Sequence, residues 1–321
     1  MATQSMNNQH GGTVRVGTRG SPLALAQAND VIARLIAAGS VAPGGAEVSV
    51  ISVVGDRIQD RPLAEVGGKG LFTKEIEQAL LDGTIHMAVH SMKDVPTQLP
   101  DGLEIACLLP REDPRDVLFG AKSIGDLGAG AVVGTSSLRR GAQIKHLRPD
   151  VAVASLRGNV QTRLKKLQAG EADATLLALA GLRRLGLADT LINDGSASIL
   201  EPSEMLPAVA QGAVGIEIRS DDTFVRELVA PLNDDQTRVA VSAERALLAS
   251  LDGSCRTPIA ALAIPDGDGL WLRAAVLFPD GRQRFDTERR GSVGDALALG
   301  SDAGSELRKT AGPELFESWQ S

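Results

Sequence analysis

Apolar positions along the first two-thirds of the chain switch between two rhythms. Val14 and Val16 set a period of two over Thr13–Gly17, which predicts a short strand. Leu25, Ala28, Ile32 and Leu35 then fall three or four apart, as on one face of a helix, behind Ser21 as N-cap and Pro22 in the first turn. Glu47–Val54, Ile85–Val89 and Leu103–Leu109 read as further strands, and Phe72, Ile76 and Ala79 mark a second helix. The alternation resumes after Pro110–Pro114. Ala131–Val133, Val151–Leu156 and Ala174–Ala180 are strand-like, and a helix follows each. The first of these helices carries Arg139 and Arg140. The second is capped by Asn159 and shows Val160, Leu164 and Leu167 on one face. The third carries Arg183 and Arg184. Strands alternating with helices predict mostly parallel sheets. Val16-Gly17-Thr18 and Val133-Gly134-Thr135 each lead from strand to helix with a serine behind, a hint of two similar α/β units.

The last third differs. Ser242–Leu251 is helical, and Ile259–Ile264, Leu270–Leu277 and Arg284–Arg290 are strands joined by Pro-Asp-Gly at 265–267 and 279–281. Tight turns between consecutive strands predict antiparallel pairing and a small α+β unit. Asp56–Gly70 has no apolar period and contains Gly67, Gly68 and Gly70. It reads as a long loop, either a lid or a plain connector.

With 321 residues the chain has room for two or three domains, and 43% hydrophobic residues suffice for real cores. Aromatic residues are 2% and tyrosine is absent, so a ring-shaped ligand must be held mainly by charge and backbone. The net charge of −7 argues against a nucleic-acid or anionic-membrane partner. It still allows positive potential to gather in one cleft. No run approaches the ~20 apolar residues of a membrane span. Met1–Gly12 is polar, without the basic start and apolar core of a signal peptide, so a cytoplasmic location is expected. In that compartment two cysteines are not expected to pair.

In open α/β sheets ligands bind beyond the carboxyl ends of the strands, where helix N-termini favour anions. Those junctions here hold Arg19 and Ser21, then Thr135 to Ser137 with Arg139 and Arg140, then Arg157 and Arg163, then Arg183 and Arg184. Each arginine alone reads as solvated surface. Together they predict a cleft for a ligand with several carboxylates or phosphates, which the guanidinium fork matches. Neither nucleotide-phosphate glycine pattern is present, which disfavours a nucleotide. Asp94, next to Lys93 and before Val95-Pro96, is the acid–base candidate, with a simple surface Lys–Asp pair as the alternative. The four histidines lack metal-ligand spacing, and no metal is expected. Cys107 lies in an apolar strand and reads as an inert thiol. Cys255 lies in a polar loop between Gly253 and Arg256, placed to be a nucleophile, an attachment point or an incidental loop cysteine.

Seven segments in order resemble the porphobilinogen deaminase (hydroxymethylbilane synthase) family. They are Val16–Ala24, Gly68–Glu75, Val89–Pro96, Gly134–Arg140, Arg157–Val160, Leu206–Gly212 and Gly253–Cys255. The resemblance implies a monomeric transferase that condenses four porphobilinogen molecules, with loss of ammonia, into a linear tetrapyrrole. It implies a dipyrromethane cofactor attached covalently through Cys255. It further implies Asp94 as the catalytic carboxylate, stabilising the azafulvene cation. Lys93, Thr135, Ser137, Arg139 and Arg140 would hold the cofactor. Arg19, Ser21, Phe72, Arg157, Arg163 and Arg184 would hold substrate, and 57–70 would be the lid. The implied fold has two α/β domains like type II periplasmic binding proteins, 1–109 with 207–232 and 110–206, and a small α+β domain, 233–321. At the cysteine some members read Gly-Cys-Gln-Val-Pro where this chain has Ser254-Cys255-Arg256-Thr257-Pro258, which leaves the role of Arg256 open. Two other classes compete. A two-lobed binding protein without catalysis would not need Cys255 in a third domain. A cysteine-nucleophile hydrolase needs a base for which no histidine lies nearby in sequence.

Overall fold

The computed structural model describes residues 12–57, 70–253 and 257–319. Cys255 with its neighbours Ser254 and Arg256, and residues 58–69 of the expected lid, lie outside the described residues.

The first elements are β1 (Val14–Arg19), α1 (Pro22–Ala37), β2 (Ala46–Ile51), α2 (Val54–Arg57), α3 (Lys74–Leu81), β3 (Met87–Ser91) and β4 (Leu103–Leu108). Next come β5 (Asp116–Phe119), β6 (Val132–Gly134), α4 (Leu138–Leu147), β7 (Ala152–Ala154), α5 (Val160–Gln168), β8 (Ala174–Ala178), α6 (Leu179–Arg184), α7 (Ala188–Asn193) and β9 (Ala197–Ile199). The remainder is β10 (Val214–Arg219), α8 (Thr223–Val229), α9 (Asp235–Ser250), β11 (Ile259–Asp266), β12 (Gly269–Leu277), β13 (Arg284–Ser292) and α10 (Ala296–Ser318).

Local signals place the helix starts. The Ser21 hydroxyl accepts from the Ala24 amide, and Pro22 opens α1. The buried stripe of α1 is Ala24, Ala28, Val31 and Leu35. It keeps Ala28 and Leu35 of the expected face and has Ala24 and Val31 in place of Leu25 and Ile32. α9 begins at Asp235 rather than Ser242, since Asp234 caps it by accepting from the Thr237 amide.

Among the described residues the strands form two five-stranded sheets and one of three. The first has the order β2-β1-β3-β10-β4, the second β7-β6-β8-β5-β9. In each, the first three strands run parallel and the fourth runs against both neighbours. Both sheets are therefore mostly parallel, with one reversed strand. Gly17 of β1 pairs with Ser49 and Ala88, and Gly134 of β6 pairs with Ala154 and Thr175, so the two similar tripeptides occupy the same place in the two sheets. A reading in chain order did not find β10, which returns from beyond the second sheet to pair with β3 and β4. It also did not find the short β5 and β9.

The third sheet, β11-β12-β13, is antiparallel with the expected turns. Leu270, Leu272, Ala274 and Val276 pack with Ala243 and Leu247 of α9 and Leu307 and Leu315 of α10. The same apolar cluster takes in Met92, Val95 and residues 209–213 around the second chain crossing. The other face, with Leu262 and Leu277, packs on Ala142 of α4 and on Leu206. The third unit thus buttresses both sheets from behind.

Candidate active site

Between the two large sheets lies a cleft of about 590 Å³, walled by the β1–α1, β6–α4, β7–α5 and β8–α6 junctions. From the first sheet, β1 delivers Arg19 and Ser21. The Ser21 hydroxyl serves the α1 cap, and Arg19 Nη1 reaches Asp94 Oδ2 at 3.5 Å. The Arg19 guanidinium also lies over the Phe72 ring, 4.2 Å from its centre. Phe72 in turn covers Gly55, where a Cβ would collide with the ring.

Asp94 ends a 3₁₀ turn, Met92–Asp94, that closes β3. Its carboxylate is about one-quarter exposed (28%), reachable by a ligand yet shielded enough for charge to matter. The sequence pairs Asp94 with Lys93. In the fold its ion-pair partner is Arg19, and Lys93 Nζ instead donates to Gln211 Oε1 at 3.5 Å. Desolvation lowers the Lys93 pKa to about 8, against the pull of Asp94 and with added repulsion from Arg140.

The second sheet builds the other wall around a carboxylate that the sequence reading passed over. Asp116, fully buried at the start of β5, accepts from Arg139 Nη2 and Arg140 Nη2, each at 2.7 Å, and from Gln211 Nε2 at 2.9 Å. Burial alone would raise its pKa, but the two guanidinium groups hold it well below the usual carboxylate range. Arg140 lines the cleft and Arg139 does not; Arg139 lies in the layer behind, bonded to the Leu206 carbonyl at 2.7 Å. The Ser137 hydroxyl accepts from the Arg140 amide, and Thr135 Oγ1 accepts from the Ser137 amide, so both side chains shape the α4 entry. Ser136, which the sequence reading did not single out, faces the cleft.

On the third junction Gly158 adopts φ +124°, and Asn159 caps α5 by accepting from both the amide and hydroxyl of Thr162 at 2.9 Å. This aims Arg157 and Arg163 into the cleft. Arg163 Nε is held by the Gly158 carbonyl at 2.9 Å, and burial, with repulsion from Arg140 and Arg157, lowers its pKa to about 10. Arg184 departs from expectation. It is absent from the cleft wall and donates to the Gly212 carbonyl at 2.7 Å, because α6 turns it toward the second chain crossing. His86 and His90 serve packing. His86 Nδ1 accepts from the Arg15 amide, and His90 Nε2 meets Glu217 Oε2 at 2.9 Å in the interior. Cys107 is fully buried in β4, and its thiol pKa is pushed up to about 12 by desolvation.

Among the described residues, Arg19, Lys93, Arg140, Arg157 and Arg163 line the cleft and no carboxylate does. The Nε atoms of Arg139 and Arg140 are buried without a hydrogen-bond partner. Cations crowded this closely repel one another unless carboxylates join them.

Residues 14–227 match the family model described as porphobilinogen deaminase, dipyromethane cofactor binding domain, and residues 239–309 match the porphobilinogen deaminase C-terminal domain. The chain belongs to the porphobilinogen deaminase family. It is similar to the porphobilinogen deaminase of Nitrobacter winogradskyi, 57% identical over 303 residues that cover 94% of each chain. That of Nitrobacter hamburgensis is 56% identical over the same shares. Among solved structures, the VFT2 domain of BvgS from Bordetella pertussis is similar with a TM-score of 0.40 and 13% identity, over 71% of this chain and 88% of that one. The fold assignment rests on strand order, not on likeness at that level. The dipyrromethane that the family model names is an acid-bearing ligand, and a wall carrying Arg19, Lys93, Arg140, Arg157 and Arg163 fits such a group.

Proposed function

We propose that this chain condenses four porphobilinogen molecules head to tail, releasing ammonia at each coupling, and frees the linear tetrapyrrole by hydrolysis. The observation that carries the reading is a cleft lined, among the described residues, by five cationic groups and no carboxylate, with Asp94 paired to one of them, in a chain that matches both family models. The chain divides in this reading into 1–109 with 207–232, 110–206, and 233–321. It works in the cytoplasm as a monomer, which a single species of about chain mass in light scattering would support.

Bound dipyrromethane supplies the pyrrole end to which the first substrate couples. Cys255 carries it through a thioether. Lys93, Arg140, Thr135 and Ser137 hold its acid arms, with Arg139 acting from the layer behind. Arg19, Ser21, Arg157 and Arg163 orient the carboxylates of incoming substrate, and Phe72 sets the position of the Arg19 guanidinium. Asp94 has the chemical role. Its carboxylate offsets the positive charge that develops on the substrate pyrrole as ammonia leaves, then accepts the proton lost when the coupled ring regains aromaticity. Arg19 holds that carboxylate in place through their ion pair. Charge then balances, since each substrate brings two carboxylates to a wall that otherwise repels itself.

Intact-mass measurement tests the reading directly. Protein made with ample porphobilinogen is expected to be heavier by one dipyrromethane, and Cys255→Ser to lose that increment. An unshifted mass would remove the transferase assignment and favour a binding protein. Asp94→Ala is expected to keep the fold and the increment while turnover falls about a hundredfold or more.

A further inference from the structure

The catalytic turn is braced by a helix of the third unit. Met92–Asp94 is a single 3₁₀ turn closed by one weak bond, Val95 amide to Met92 carbonyl at 3.3 Å. Such a turn does not hold a carboxylate still by itself. Its upstream side is fixed by the sheet, where the Met92 amide donates to the Ala213 carbonyl at 3.0 Å, and by α1, where Gln27 Nε2 donates to Ser91 Oγ at 2.9 Å. The downstream side runs into Val95-Pro96, and Pro96 has no amide to donate.

Arg245 of α9 meets that side. Its Nη1 donates to the Val95 carbonyl at 3.0 Å and its Nη2 to the Pro96 carbonyl at 2.6 Å. One planar guanidinium thus spans the two peptide units that follow Asp94, a geometry a lysine ammonium cannot reproduce. Met92 and Val95, on either side of Lys93-Asp94, are buried in the same apolar cluster as Val241 and Leu247 of α9. Burial also lowers the Arg245 pKa, partly offset by Glu217, so its charge is spent against the two carbonyl dipoles and not on water. α9 ends at Ser250, five residues before Cys255.

We infer that Arg245 is a positioning residue: it pins the turn carrying Asp94 to the helix that leads to the cofactor cysteine, fixing the carboxylate relative to the tethered chain end. The inference rests on the proposed function for its kinetic part but not for its structural part.

The test uses the holoenzyme and the variants Arg245→Gln, Arg245→Lys and Arg238→Gln. Arg238 is a control on the same helix, bonded to the Ala106 carbonyl of β4 at 2.8 Å and to Asn233. Arg245→Gln is expected to speed amide exchange in a peptide spanning residues 91–97 while α9 stays protected. It should lower kcat about tenfold or more with KM within about twofold and the covalent mass intact, because an ångström of misplacement acts on the chemical step. Arg245→Lys keeps one of the two bonds and should recover part of kcat, and Arg238→Gln should match wild type. Unchanged exchange at 91–97 overturns the inference, as does unchanged kcat despite faster exchange. Exchange rising throughout the chain with kcat and KM failing together would reduce Arg245 to a fold residue. If wild type neither carries the primer nor consumes porphobilinogen, the proposed function falls, and the exchange result still decides whether the pin exists.

Discussion

The carboxylate of Asp116 has no solvent contact, yet it accepts from Arg139, Arg140 and Gln211 within 2.9 Å. Two guanidinium groups side by side repel each other, and one buried anion between them makes the pair tolerable while keeping Arg140 pointed at the cleft. Removing one member of a buried ion cluster leaves the others unpaired, which costs far more than the net value of the cluster. Asp116→Asn, nearly isosteric, is therefore expected to destabilise the chain by about 3–5 kcal/mol in urea unfolding. The pH dependence has a definite sign. The folded pKa of Asp116 is depressed below the unfolded value of about 3.9, so its stabilisation is present above that pH and is lost as pH falls toward the folded value. Wild type should lose stability steeply below about pH 4, and the Asn variant less steeply, when unfolding is followed at several pH values.

The recurring element of the site is a strand that ends in a capped helix. Ser21, Ser137 and Asn159 each accept from an amide three residues on, and each thereby fixes where an adjacent arginine enters the cleft. α5 shows the dependence most plainly, since none of its residues is fully buried and its start relies on Asn159 and on the left-handed Gly158. Asn159→Ala is expected to cost about 1 kcal/mol. It should also raise KM more than it lowers kcat, because Arg157 and Arg163 lose their aim while Asp94 keeps its own. Denaturation and steady-state kinetics on one preparation check both halves, and a kcat effect without a KM effect would contradict this account of the junction.

At the scale of the molecule, a chain of net charge −7 gathers Arg19, Lys93, Arg140, Arg157 and Arg163 around one cleft between two sheets with the same pattern of strand directions. Anionic substrate is drawn there against the overall charge, and salt weakens that attraction as the screening length falls from about 10 Å at 0.1 M to about 3 Å at 1 M. KM for porphobilinogen is expected to rise several-fold over that range while thermal stability changes little, as buried ion pairs such as those of Asp116 with Arg139 and Arg140 are screened little. A KM indifferent to salt would mean that the arginines are structural. The third unit contributes no wall to this cleft among its described residues, but its helix α9 supports the turn bearing Asp94 from behind.

Periodicity and caps are local, and so the sequence determined the repeating strand–helix order, the three junctions with their serine and asparagine caps, and the hairpin sheet of the last third. Ordered motifs added the family, and proposed Asp94 and the arginine set. What it did not determine were the partnerships made across long separations. β10 sits between β3 and β4 because two strand edges needed hydrogen bonds, and nothing within Val214–Arg219 says which edges those are. For the same reason Asp94 faces Arg19 rather than its neighbour Lys93, Arg139 withdraws behind Arg140 to reach Asp116, and Arg184 turns away to a backbone carbonyl. A side chain's type and spacing are written along the chain. Its partner is settled only when folding removes water from the pair and leaves each buried charge to find the one opposite group within reach.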